Sequence, residues 1–133
     1  MIDPNNVPPV RSDEKLARYI LQSSHIRRLN QTVKADAFIP HPYQNLSVNR
    51  HLSATEVELW ESGERIATKI GKTLHGRADL QVEICLRQKL SVEAAPEDGN
   101  PNHANIVGWP ADKPLQKIIA LELAASARFV PKN

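Results

Sequence analysis

The sequence predicts an α+β fold: an antiparallel or mixed sheet of about four strands with helices packed mainly on one face. Three observations carry this expectation. Apolar residues recur at helical spacing in some stretches and alternate in others. The stretches that read as strands come mostly in adjacent pairs, which suits hairpins better than parallel crossovers. The chain has 133 residues, 41% apolar and 24% charged, enough for one core and short of two.

Residues 1–10 hold Pro4, Pro8 and Pro9 and read as a flexible N-terminal arm, either a lead-in or a segment that orders on a partner. Residues 11–130 read as a single globular domain. A first helix is predicted from Ser12, a capping residue, with Asp13 and Glu14 at the positive end of the helix dipole. Leu16, Tyr19 and Ile20 then share one helical face, and the helix fades between Gln22 and His25. Val33, Ala35 and Ala37 alternate with Lys34, Asp36 and Phe38, which predicts a strand over 32–38. Pro40-His41-Pro42-Tyr43 is a loop, because each proline keeps the residue before it out of the helical region. Leu46 to Asn49 reads as a short strand.

Ser53 and Glu56 form a capping-box pattern at the start of a second helix. Val57, Leu59, Trp60, Ile66, Ala67 and Ile70 give it a recurring apolar face, and Gly71 supplies the left-handed ending. Residues 77–89 fit two patterns. Leu80, Val82, Ile84 and Leu86 alternate like a strand, while Ala78, Val82, Cys85 and Leu86 share a helical face. Helix is preferred, since Arg87-Gln88-Lys89 lacks the Gly, Asn or Asp of a tight hairpin. Leu90 to Ala94 is a strand, Pro96 to Asn102 a loop, and His103 to Trp109 a strand that Pro110 ends. Asp112 caps the last helix, and Pro114 in its first turn lacks an N–H that would have no partner there anyway. Leu115, Ile118, Ile119 and Leu123 are expected to face the core. The helix is so apolar after Ile118 that it should be the most buried of all.

Composition narrows the functions. A net charge of +2 is too small to drive nucleic-acid binding by bulk electrostatics. No apolar run approaches the roughly 20 residues that cross a bilayer. The opening residues lack the features of an export signal, so a cytoplasmic location is expected. The one cysteine, Cys85, lies between Ile84 and Leu86 and reads as a buried apolar residue rather than a reactive thiol. Phosphate loops, dinucleotide fingerprints, His-Glu-x-x-His pairs and nucleophile elbows are absent, and neither a metal site nor a cofactor is expected.

Three polar clusters remain. The first is His41, Tyr43, Asn45, Arg50 and His51; the second is His75 with Arg77; the third is Asn102, His103 and Asn105, with Trp109, Asp112 and Lys113 beyond. If the strands at 46–49 and 103–109 are neighbours, Arg50 and His51 approach His103 and form a candidate catalytic group. The histidines would move protons, and the arginine would hold a phosphate or carboxylate. Arg27, Arg28 and Lys34, in an acid-free stretch with His25, are candidate nucleic-acid contacts. Arg77, Trp109 and Lys113 are candidate ligand contacts. Each also has a structural explanation: a turn fixed by Arg50 and His51, a loop bonded by His103, a core anchored by Trp109.

The run His103-Ala-Asn-Ile-Val-Gly-Trp-Pro110 resembles a motif of an uncharacterised family of small bacterial proteins. Phe38-Ile39-Pro40, Asn45-Leu46-Ser47-Val48, Arg50 and Glu58-Leu59-Trp60 are similar too, so the resemblance spans residues 33–128. It implies a bacterial source and carries no activity. The function expected is an accessory or protein-interaction domain, a subunit of a larger assembly. Its partner would be another protein or further copies of the chain, with no membrane. The alternative is a nucleic-acid-binding or RNA-cleaving module using the arginine and histidine clusters.

Overall fold

The computed structural model describes residues 1–40 and 44–133, so the predicted His41 and Tyr43 lie outside the described residues. In chain order the elements are β1 (Lys15–Ile20), β2 (Ile26–Arg27), β3 (Thr32–Val33), β4 (Leu46–Arg50), α1 (Glu56–Lys69), β5 (Gly76–Gln81), α2 (Val82–Arg87), β6 (Ser91–Ala94), β7 (His103–Val107), α3 (Lys113–Ser126) and β8 (Arg128–Pro131). Short 3₁₀ turns cover Ser23–His25 and Ala35–Phe38. The fold is α+β, but the main sheet has six strands rather than about four, ordered β6-β7-β4-β1-β5-β8. Every neighbouring pair is antiparallel. β2 and β3 form a separate hairpin.

Three strands of the main sheet, β1, β5 and β8, come from segments read otherwise. Residues 15–20 form β1, not a helix. Leu16, Ala17, Tyr19 and Ile20 are all buried, because β1 sits inside the sheet with both faces covered. A strand buried on both faces loses its alternation, and Leu16, Tyr19 and Ile20 then mimic a helical stripe. The ambiguous stretch at 77–89 is both things in turn: β5 runs to Gln81 and α2 starts at Val82. The predicted strand at 32–38 keeps only Thr32 and Val33 before turning into 3₁₀. The closing residues form β8 on the outer side of β5.

Two of the three helices lie on one face of the sheet and α1 on the other. The larger core lies under α2, α3 and the Ala35–Phe38 turn. It includes Leu16, Ile20, Phe38, Val48, Leu80, Ile106 and Leu123, all buried. On the other face α1 packs over Ala17, Tyr19 and Leu74 through Ala67, Trp60 and Ile66. The α1 cap lies two residues later than predicted: Thr55 Oγ1 accepts from the Glu58 amide, and the Glu58 carboxylate accepts from the Thr55 amide. Gly71 does end the helix, at φ +69. Asp112 caps α3 by accepting from the Leu115 amide, with Pro114 in its first turn.

The expectation that α3 is the most buried helix does not hold. Gln116, Ala120, Leu123 and Ala124 face inward, whereas Leu115, Ile118 and Leu121 stand out into solvent. The helix is apolar on two sides, and the sheet covers only one of them.

Candidate functional site

Three arginines are drawn out of full solvent exposure, at positions 18, 50 and 77. Arg50 is wholly buried. Its Nε and Nη2 donate to the two Glu14 carboxylate oxygens at 2.7 and 2.8 Å, a bidentate pair. Its Nη1 and Nη2 also donate to the carbonyls of Pro8 and Pro9. Burial would raise the Glu14 carboxyl, but the hydrogen bonds and charge of Arg50, with the Arg11 amide, hold it below the usual range. The proline-rich start is also tied at Ile2, which is buried and whose amide donates to Asn102 Oδ1 at 2.9 Å. Asn102 in turn donates to the carbonyls of Arg50 and Leu52.

Arg77 belongs to a network under the N-terminal turn of α1. It donates to both Glu56 oxygens at 2.9 Å and to Asp79 Oδ1 at 3.0 Å, with its guanidinium 4.8 Å from the Trp60 ring centroid. His51 Nε2 lies 2.9 Å from the same Asp79 oxygen. Burial pushes the Asp79 carboxyl up, and bonds from His51 and Arg77 outweigh that and hold it low.

Arg18 differs from both. Its Nε donates to Ala37 O at 2.8 Å and its Nη1 to Ser47 O at 2.9 Å, and no described carboxylate pairs with it. The cause lies in the register. β1 and β4 pair only at Leu16–Arg50 and Ala17–Asn49, then part. The Arg18 guanidinium fills the opening and satisfies a β4 carbonyl that has lost its strand partner. Burial without a partner charge pulls its pKa down to about 10.

That opening is one wall of a cleft of about 430 Å³ lined by Arg18, Asn45, Leu46, Ser47, Glu97, His103 and Asn105. Ser47, His103 and Asn105 line it from the α1 side of the sheet, and Arg18, which alternates with Ala17 and Tyr19, reaches it through the opening from the other side. Register pairs Ser47 with Asn105 and Asn49 with His103, so the side chains of each pair share a face. His103 Nδ1 lies 2.8 Å from Ala95 O and 3.8 Å from Glu97 Oε1. A carbonyl only accepts, so Nδ1 carries the proton in that bond and Nε2 of the neutral ring keeps a lone pair.

The candidate catalytic group therefore does not assemble. β4 and β7 are neighbours, as required, but Arg50 and His103 belong to opposite faces because the partner of His103 is Asn49. Arg50 is fully engaged by Glu14, and His51 turns to Asp79. The candidate ligand contacts are separate too. Arg77 lies under α1, Trp109 is in the larger core with Nε1 donating to Ile106 O, and Lys113 is exposed at the start of α3. Arg27 and Arg28 stand exposed on the β2–β3 hairpin, where Arg27 donates to Val33 O, and Lys34 is half-buried beside it. Among the described residues no three His, Cys, Asp or Glu side chains group as metal ligands.

Sequence reading passed over Arg18, Glu14 and Asp79. The signal for Arg18 was present: a lone charge inside Leu16-Ala17-Arg18-Tyr19-Ile20, a run buried on both faces. The second exposed feature is the outer face of α3, where Leu115, Ile118 and Leu121 are 48%, 56% and 47% exposed. No family model, curated protein or solved structure matches the chain.

Proposed function

We propose that this chain is a protein-interaction domain, a subunit of a symmetric assembly, and that a second copy of the chain covers the outer face of α3. The observation that carries the reading is the trio Leu115, Ile118 and Leu121, which leaves large apolar side chains unburied along one helix. Single exposed leucines are ordinary, but an aligned set on a helix that is already packed on its other side marks a contact surface.

The choice of a second copy rests on symmetry and charge. Ile118 is three residues from Leu115 and three from Leu121. A twofold axis at Ile118 sets that residue against its own copy and each Leu115 against the partner's Leu121. The two helices then run antiparallel, with their dipoles opposed. The same arrangement sets Glu122 opposite Pro114, beside Lys113, so the acidic end of one α3 meets the basic end of the other. Leu86, on the neighbouring α2, is 44% exposed and extends the apolar supply.

Sedimentation velocity over a concentration series tests this. The wild-type chain is expected to shift from one to two copies with rising concentration. Ile118→Glu is expected to stay monomeric with an unchanged melting temperature, because Ile118 faces away from the core. A wild-type chain that stays monomeric throughout, or a variant that dimerises equally well, overturns the reading.

A further inference from the structure

The cleft beside Arg18 has the composition of a ligand site, and the structural needs of the fold leave much of it unspent. Two of the five guanidinium N–H groups are used on carbonyls. The other two sheltered arginines, Arg50 and Arg77, each hold carboxylates in bidentate geometry. Arg18 is the member of the set with donors and charge left over. Around it, the side chains of Asn45, Ser47 and Asn105 make no hydrogen bond among the described residues. A face of Ser, Asn and His on two central strands is unusual chemistry for a surface that only has to meet water. The volume suits a small molecule rather than a chain.

The charges on the lining restrict its occupant. Arg18 supplies one positive charge and Glu97, largely exposed at the rim, one negative charge. A polyanion would gain from the first and be repelled by the second. A ligand with one anionic head and a donor or ammonium group elsewhere satisfies both.

We propose that this cleft binds a small zwitterionic or amino-bearing carboxylate. Arg18 holds the carboxylate, Asn45, Ser47 and Asn105 hydrogen-bond it, and Glu97 takes the amino group. This site is separate from the α3 surface, so either assignment stands if the other fails.

The test is NMR titration of the full chain with a mixture of free amino acids, with acetate and with inorganic phosphate. The Arg18 Nε–H and the Asn45 and Asn105 side-chain amides report. Amino acids are expected to shift these signals saturably, and acetate and phosphate to do so more weakly. Arg18 also ties β4 to the Ala35–Phe38 turn, so its removal alone would confound binding with folding. Asn105→Asp places a carboxylate in the cleft at nearly constant volume, and Glu97→Gln removes the exposed acid. Asn105→Asp is expected to weaken binding about tenfold or more with the fold intact. Glu97→Gln is expected to erase the preference for amino acids over acetate. No saturable shift with any probe, or equal binding by wild type and a folded Asn105→Asp, overturns the site. Phosphate binding as well as amino acids do overturns the ligand class.

Discussion

At the scale of single residues, the same side chain has different uses depending on what the fold sets beside it. Arg50 has a buried carboxylate and becomes an anchor; Arg18 has none and keeps its charge available. Sequence could name Arg50 as a notable residue, since it stands beside His51 before a helix cap. It could not name Glu14 as its partner, 36 residues upstream in a stretch that reads as a helix start. Removing one partner of a buried ion pair leaves the other charge uncompensated, which costs about 3–5 kcal/mol. Arg50→Ala is therefore expected to lose stability on that scale in chemical denaturation, while Glu14→Gln with Arg50 retained removes the acid sensitivity of the pair. The sign follows from the depressed carboxyl. The pair contributes fully above the unfolded glutamate pKa of about 4.3, and the contribution is lost as pH falls through the lower folded value. Wild-type melting temperature should hold from neutrality to near that point and drop below it, and the drop should be shallower in Glu14→Gln. An Arg50→Ala protein as stable as wild type would show that the pair is dispensable.

At the scale of elements, legibility depended on how many faces each one buries. α1 shows an amphipathic pattern and a cap, and its existence and its end at Gly71 were readable. β4 and β7 were readable from short apolar centres between prolines and polar turns. β1 was not, because a central strand has no polar face to reveal its period, and β5 and α2 share one apolar run without a break. Gly63 shows a local rule yielding to packing. It sits within α1, where alanine would favour the helix by about 1 kcal/mol. A Cβ there would lie 2.7 Å from Tyr19 Cε1 and 3.0 Å from Leu74 Cδ2. The Tyr19 ring cannot swing aside, because its hydroxyl donates to Leu59 O at 2.6 Å. Overpacking of this kind costs about 1–3 kcal/mol, enough to cancel or exceed the helix gain. Gly63→Ala is expected to lower the melting temperature, and a rise would show that α1 moves away from the sheet freely.

At the scale of the whole molecule, the sheet carries two different surfaces. One side is closed by α2 and α3, and the outer side of α3 is apolar in turn. The other carries α1, packed over Ala17, Tyr19 and Leu74, with the polar side chains of Ser47, His103 and Asn105 beside it. The α+β class was legible in the sequence, the sheet only as antiparallel or mixed, and the helical pattern showed α3 to be apolar nearly all round. On the sequence alone that reads as deep burial within one chain. The same pattern equally describes a helix buried half by its own sheet and half by another molecule, and composition cannot separate these. The cleft was only partly legible, since His103 and Asn105 stood out while Arg18 lay hidden in a misread helix.

The most direct test of the central claim is a self-cross-link at the twofold axis. Ile118→Cys places a thiol at the centre of the α3 contact, and symmetry brings it against its own copy within the Cα separation of about 7 Å that a disulfide tolerates. The native Cys85 is buried, with its thiol pushed up to about 12 by burial, so it stays out of the reaction. Under mild oxidation the Ile118→Cys chain is expected to form a disulfide-linked dimer rapidly, and Lys69→Cys, exposed on α1, is expected to stay largely monomeric. Cross-linking at Ile118→Cys no faster than at Lys69→Cys would contradict the account.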